Sequence, residues 1–259
     1  MIYLRPMPTL IKHFLIIALL LVFCHSSFSQ ANIRDSSFTF SMLGATFQYE
    51  APGADMANEF GNNLAVGGFF QLKLKSNWLL GVEGEFLFSD VIKNNNLLSG
   101  ISTPEGNIID QDGAFADVSL LERGFRFSLK GGKVFPIIGP NPNSGILATV
   151  GAGFFQHKIR IETKSVVPEI SGDYVKGYDH LTNGIAVTEF IGYMHCGNTR
   201  LINFFAGFEF TQGFTKNRRA YNFDTMSKDN TQHLDLLFGI KAGWFFPLYK
   251  HAVNTYYYY

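Results

Sequence analysis

Asp179 and His180 are adjacent, with Asp173 and Thr182 nearby. A histidine beside a carboxylate is the first place to look for a general base. The signal here is weak, because the side chains of sequence neighbours diverge and loops use Asp to make turns. No cluster of His, Cys, Asp or Glu has metal-ligand spacing, and no metal, cofactor or catalytic residue is expected. Cys196 is the only cysteine after residue 29. It reads as a small half-buried residue at a strand end, with no second cysteine there to bridge to.

A second set of chemistry-bearing residues is larger. Glu83, Glu85, Glu122, Glu189, Glu209 and Asp235 recur on the polar side of alternating segments. So do Lys73, Lys75, Arg126, Lys130, Lys158, Arg160 and Lys241. Six acids against seven bases make a near-neutral set. If one enclosed face collects them, they form either an ion-paired plug or a narrow polar channel. Tyr174, Tyr178, Tyr221 and Phe223 with Lys216, Arg218 and Arg219 lie between such segments. Aromatics with Arg are the composition of contact sites; the basic cluster equally suits lipopolysaccharide phosphates.

Alternation sets the elements that must position these residues. In 64–75, Leu64, Val66, Phe70, Leu72 and Leu74 share one parity, and Gln71, Lys73 and Lys75 the other. The same holds for 78–89, 202–214 and 234–248. Successive strand side chains point to opposite faces, so each segment has one apolar face and one polar or small face. Segments 37–49, 121–130, 146–161 and 185–195 fit less clearly, the first with a change of phase near Leu43. Together they predict eight strands, with 185–195 the weakest. A hairpin within 92–115 would make ten. Short connections at 76–77, 137–144 and 197–199 alternate with long ones at 51–63, 92–115, 162–184 and 215–232. Trp78 and Trp244 fall at the end with the short turns, where interface anchors sit.

Composition agrees. Charged residues are 16% of the chain, aromatics 15%, and Phe alone numbers 27, against about 25% charged in a soluble domain. No stretch after residue 29 is an apolar run long enough for a membrane helix, which needs about 20 residues. Such a chain shows its apolar faces to lipid on strands, and only a closed sheet satisfies its backbone there. The expectation is an all-β, closed antiparallel transmembrane β-barrel with an up-and-down meander.

Residues 1–29 read as a cleaved signal peptide. Arg5 and Lys12 precede the apolar run 14–23, and Ser27 and Ser29 place cleavage before Gln30. A lipid anchor at Cys24 would need a small residue where Phe23 stands. The remaining chain carries 19 basic and 21 acidic residues once Arg5 and Lys12 are removed from 21 of each. That balance argues against a nucleic-acid partner. The expected organisation is a barrel at 30–249 and a short tail at 250–259.

Lys241-Ala242-Gly243-Trp244-Phe245-Phe246-Pro247-Leu248 resembles the assembly signal that ends small Gram-negative outer-membrane β-barrels. The whole chain after residue 29 resembles the OmpA/OmpX-like and PorT-like members of that family. The extension to Tyr259 departs from the pattern, since the signal usually closes the chain. The resemblance implies an outer-membrane location, contact with lipid and lipopolysaccharide, and the barrel assembly machinery as a partner during biogenesis. It implies no particular activity. The His-x-Ser pair of lipid A deacylase-like barrels does not occur after residue 29. The expected role is a non-enzymatic barrel whose loops bind a partner or stabilise the membrane, including as a subunit of a larger outer-membrane or secretion complex. A lipid-modifying or hydrolytic enzyme centred on His180 and a small-solute channel stand as alternatives.

Overall fold

A computed structural model describes residues 36–197 and 202–248. The expected signal peptide at 1–29, the expected tail at 250–259 and most of the expected turn at 197–199 lie outside the described residues. Eight strands form: β1 (Phe40–Ala54), β2 (Asn63–Lys73), β3 (Trp78–Ser89), β4 (Val118–Phe135), β5 (Gly145–Thr163), β6 (Thr182–Cys196), β7 (Asn203–Asn217) and β8 (Gln232–Leu248). One short helix, α1 (Met56–Glu59), follows β1. No helix among the described residues is long and apolar enough to cross a membrane.

Each strand pairs antiparallel with the next, and β1 pairs with β8, so the sheet closes. Phe47 lies opposite Val66 on one side and Ala242 on the other. Closure leaves no edge in the barrel wall. The segment with the weakest alternation, 185–195, is a full strand, paired along β5 and β7. Residues 92–115 add no strand to the wall and form only isolated bridges, Ile92 with Phe60, Ser102 with Ile108 and Ile109 with Phe115. The count is therefore eight.

The outward positions along the middle of the wall are apolar but for Glu189 on β6 and Gln212 on β7. Leu43, Phe47, Leu80, Phe127, Leu129, Val150, Ile185, Phe208, Phe238 and Ile240 are all exposed, while charged side chains are buried inside. An apolar exterior around a charged interior is the pattern of a membrane-spanning barrel. The change of phase near Leu43 is a change of chemistry instead. Phe40, Met42, Thr46, Gln48 and Glu50 all point inwards along one face. That face is apolar at the end with the short turns and polar above it.

The interior accordingly stacks in three layers. At the short-turn end, Phe40, Met42, Phe69, Leu79, Val134, Leu147, Phe190, Met194, Phe205 and Phe245 pack together. The turn at 136–144 folds back beneath them. Its Asn141 donates to the Cys196 carbonyl at 2.6 Å, and Asn77 donates to the Pro142 carbonyl at 3.1 Å. A charged layer follows. At the long-loop end a second apolar layer joins wall residues Ala65, Leu87, Phe155 and Leu237 to loop residues Met56, Phe60, Leu97, Ile108, Val167 and Ile170.

Candidate functional site: the charged lumen and the folded outer mouth

Arg126 on β4 is the hub of the charged layer and is buried. Its guanidinium donates to Glu85 at 2.6 and 2.9 Å, to Glu50 at 3.1 Å, to Glu209 at 3.3 Å and to Thr211 at 2.9 Å. Lys130 lies 2.5 Å from Glu209 and 2.9 Å from Glu83. Lys241 reaches Glu85 at 2.8 Å and Glu209 at 3.1 Å, and also contacts Glu83. Gln48 donates to Glu50 at 2.8 Å. Three cations thus meet four carboxylates in a buried layer. An eight-stranded barrel leaves room for side chains but not for a pore. Long side chains fit because glycines face them: a Cβ at Gly239 would come within 2.3 Å of the Gln48 amide.

Six of the residues predicted to line the lumen meet here: Glu83, Glu85, Arg126, Lys130, Glu209 and Lys241. Three others point inwards but sit elsewhere. Lys73 lies at the short-turn mouth, donating to Asn143 at 2.9 Å and Ser37 at 3.1 Å. Glu122 accepts from Asn63 at 3.1 Å near the long-loop mouth. Asp235 pairs there with His157 at 2.9 Å and accepts from Thr215 at 2.5 Å.

The remaining residues of that set are corrected by strand parity. In β5 the odd positions Phe155, His157 and Ile159 are buried, so Lys158 and Arg160 point outwards. Arg160 pairs with Glu162 at 2.8 Å beyond the apolar belt. Lys75 is exposed past the end of β2. In β6 the even positions are buried, so Glu189 faces the outside of the barrel. Two titratable lumen residues, Glu50 and His157, fall outside the predicted set. Glu50 was hidden by the chemistry change along β1. His157 lies on the face opposite Lys158 and Arg160, whose charges mimic a lumen-facing parity.

At the long-loop end, His180 ties three loops together. Its backbone is left-handed at φ 43°. Nδ1 lies 2.7 Å from Glu59 of α1, and Nε2 3.1 Å from Asp224 in the loop after β7. Burial pulls the imidazole pKa down, but the hydrogen bond and charge of Glu59 and the charge of Asp224 outweigh it, raising it to about 9. A charged ring hydrogen-bonded at Nδ1 and ion-paired at Nε2 has no lone pair for a substrate proton. Asp179 turns instead to Arg219, whose Nε donates to it at 2.6 Å. His180 is a clamp.

The loop aromatics and bases divide in the same way. Tyr178 is buried and Phe223 packs edge-on against it at 5.4 Å, so neither is an exposed contact. Arg219 is tied to Asp179, and Arg218 donates to Asn183 at 2.6 Å. The predicted basic cluster is largely spent on joining the last loop to the third. Tyr174, Tyr221 and Lys216 remain exposed, as do Trp78 and Trp244 at the short-turn end.

The clamped loops enclose a cavity of about 450 Å³ that opens outwards. Its histidines each face acids: His157 with Asp235, His180 with Glu59 and Asp224, and His233 with Asp229 at 2.7 Å. Asn58, Asn94, Asn217 and Asn222 complete a polar lining. No group of three or more metal-binding side chains occurs among the described residues.

No protein-family model and no curated protein matches the chain. Among solved structures, Neisserial surface protein A is similar over 80% of this chain and 96% of its own, at 10% identity and a TM-score of 0.42. The N-terminal β-barrel domain of Pseudomonas aeruginosa OprF is similar over 82% of this chain and 98% of its own, at 12% identity and 0.35. Ail, the attachment invasion locus protein of Yersinia pestis, solved with the heparin analogue sucrose octasulfate, is similar over 81% and 99%, at 12% and 0.34. The eight-stranded closed barrel itself rests on this chain's own strand pairing.

Proposed function

We propose that this chain is an integral outer-membrane barrel, non-enzymatic and non-conducting, whose folded outer loops bind a partner. One observation carries this. The long loops pack into a cap with its own apolar core and a polar cavity, above a lumen blocked by side chains. Ordering loops costs conformational entropy, and a barrel that served only to span the membrane would gain nothing from a shaped outer cavity. The blocked lumen weighs against the small-solute channel, and the His180 ring ion-paired to Glu59 and Asp224 weighs against a hydrolase built on it. The export signal at 1–29 and the assembly-signal resemblance at 241–248 support the outer membrane as its location, with lipid, lipopolysaccharide and the assembly machinery as its biogenesis surroundings. The barrel at 30–249 with a tail at 250–259 remains the proposed organisation.

The test is co-purification from native membranes in mild detergent, with mass spectrometry, for the full chain and for one with 218–231 replaced by a short Gly-Ser link. Loss of a surface partner with the loop is expected. An unchanged set of partners would overturn the loop assignment, and stepwise ion currents from the purified barrel in planar bilayers would overturn the blocked lumen.

A further inference from the structure

Glu189 occupies the one place in the wall where a charge is hardest to keep. It lies seven residues from either end of β6 (Thr182–Cys196). Its cross-strand neighbours, Val150 on β5 and Phe210 on β7, sit midway along the outward apolar runs of those strands. A tilted strand of this length crosses an apolar band about 25 Å tall with residues to spare, and exposed Ile185 and Ile191 flank Glu189 on the same face, so the carboxylate lies inside the band. The outward positions within 43–49, 64–74, 78–88, 125–129, 146–154, 185–193, 204–214 and 234–248 hold no other charged side chain. Glu189 is exposed, with no hydrogen bond or ion pair among the described residues.

The surface around it is shaped. Glu189, Ile191, Phe208, Phe210, Phe238 and Ile240 line a groove of about 490 Å³ on the outside of β6, β7 and β8. Phe210 and Phe238 stack at 4.8 Å and stiffen its floor. An ionisable side chain in hydrocarbon is costly unless something pairs with it. We infer that this groove docks a membrane-spanning segment of a different protein, which presents a Lys or Arg side chain to Glu189 at mid-membrane.

Charge decides between occupants. A two-fold dimer of this chain through the groove would set one Glu189 against the other. A head-to-tail contact would need an outward base at mid-belt, and the outward bases nearest the described belt, Lys133 and Arg123, stand opposite Trp78 and Phe88 at its two rims. The flanking bases Arg123 and Lys133 lie on β4, beyond either end of its outward run 125–129. A lipid tail would leave the carboxylate unpaired. A basic partner side chain satisfies both the groove and the charge. This inference is independent of what the outer loops bind.

The test places p-benzoylphenylalanine at Ile191, and as a control at Leu80 on β3, in cells that make the chain. A single heteromeric adduct at Ile191 and none at Leu80 is expected, with a partner carrying a Lys or Arg within a membrane-spanning segment. Glu189→Lys should cut the adduct at least tenfold, and changing the partner's basic residue to Glu should restore it. In lipid vesicles the isolated Glu189→Leu barrel should unfold at higher urea than the parent, although it loses the partner in cells. An adduct with a second copy, lipid adducts alone, or an adduct indifferent to Glu189→Lys would each overturn the inference. So would a lower urea midpoint for Glu189→Leu, which would mark Glu189 as a residue the barrel itself needs.

Discussion

Arg126 and Glu85 stand directly opposite each other on β4 and β3, and the guanidinium donates two hydrogen bonds, of 2.6 and 2.9 Å, to one carboxylate oxygen. The same guanidinium holds Glu50 and Glu209 from strands further round the barrel. One side chain thus ties together β1, β3, β4 and β7. Arg126→Ala should lower stability by about 3–5 kcal/mol, because it strands buried carboxylates without a partner. Arg126→Lys should recover little, since an ammonium lacks the planar fork that reaches Gln48, at 3.4 Å, Thr211 and three acids together. Urea unfolding followed by tryptophan fluorescence in lipid vesicles measures both, and a loss below about 1 kcal/mol for Arg126→Ala would mean that the layer does not depend on this hub.

The His180 clamp predicts a pH dependence confined to the outer mouth. Its folded pKa of about 9 lies above the ordinary histidine value of about 6.5. The stabilisation is therefore complete below about pH 6.5 and is lost as pH rises through 9, with a total on the order of 3 kcal/mol. Amide exchange in 164–181 and 218–231 should accelerate between pH 8 and 10 beyond its intrinsic base dependence. His180→Ala should exchange fast at neutral pH and show no such step. A step that persists in His180→Ala would assign it to another group.

Gly44 makes room for an aromatic ring. A Cβ there would lie 2.5 Å from the Phe69 ring and 2.4 Å from the Trp244 carbonyl oxygen. Gly44→Ala should cost about 1–3 kcal/mol by overpacking the lower apolar layer. Gly68→Ala, on the outward face of β2, meets nothing closer than 3.5 Å and should change stability by no more than about 0.5 kcal/mol. Equal effects in urea unfolding would remove the packing argument.

Sidedness is open to direct measurement. Tyr174 is 64% exposed among the long loops, while Ser76 lies in the short turn between β2 and β3. A membrane-impermeant maleimide should label Tyr174→Cys on intact cells and Ser76→Cys only after the outer membrane is opened. Buried Cys196 adds little background. The reverse pattern would invert the barrel.

Strand number, meander order and the outward belt were legible in the sequence, because a period of two is written directly into residues such as Phe204 to Phe214 and Leu234 to Leu248. Charge identity was legible too, since the hub Arg126 and its partners Glu85 and Glu209 all fall on polar parities. Parity failed where both faces carry the same kind of residue. Phe40 and Met42 are apolar yet inward, because the barrel fills its own lower end. Lys158 and Arg160 are charged yet outward, because β5 rises past the apolar belt into water. The charge of Glu189 points to the lumen, and only its register against Val150 and Phe210 puts it on the outer wall. The loops were the least legible part. That His180 meets Glu59 and Asp224, 121 and 44 positions away, is a consequence of three loops converging on one mouth, and no local pattern in a sequence encodes which loop ends a closed sheet will bring together.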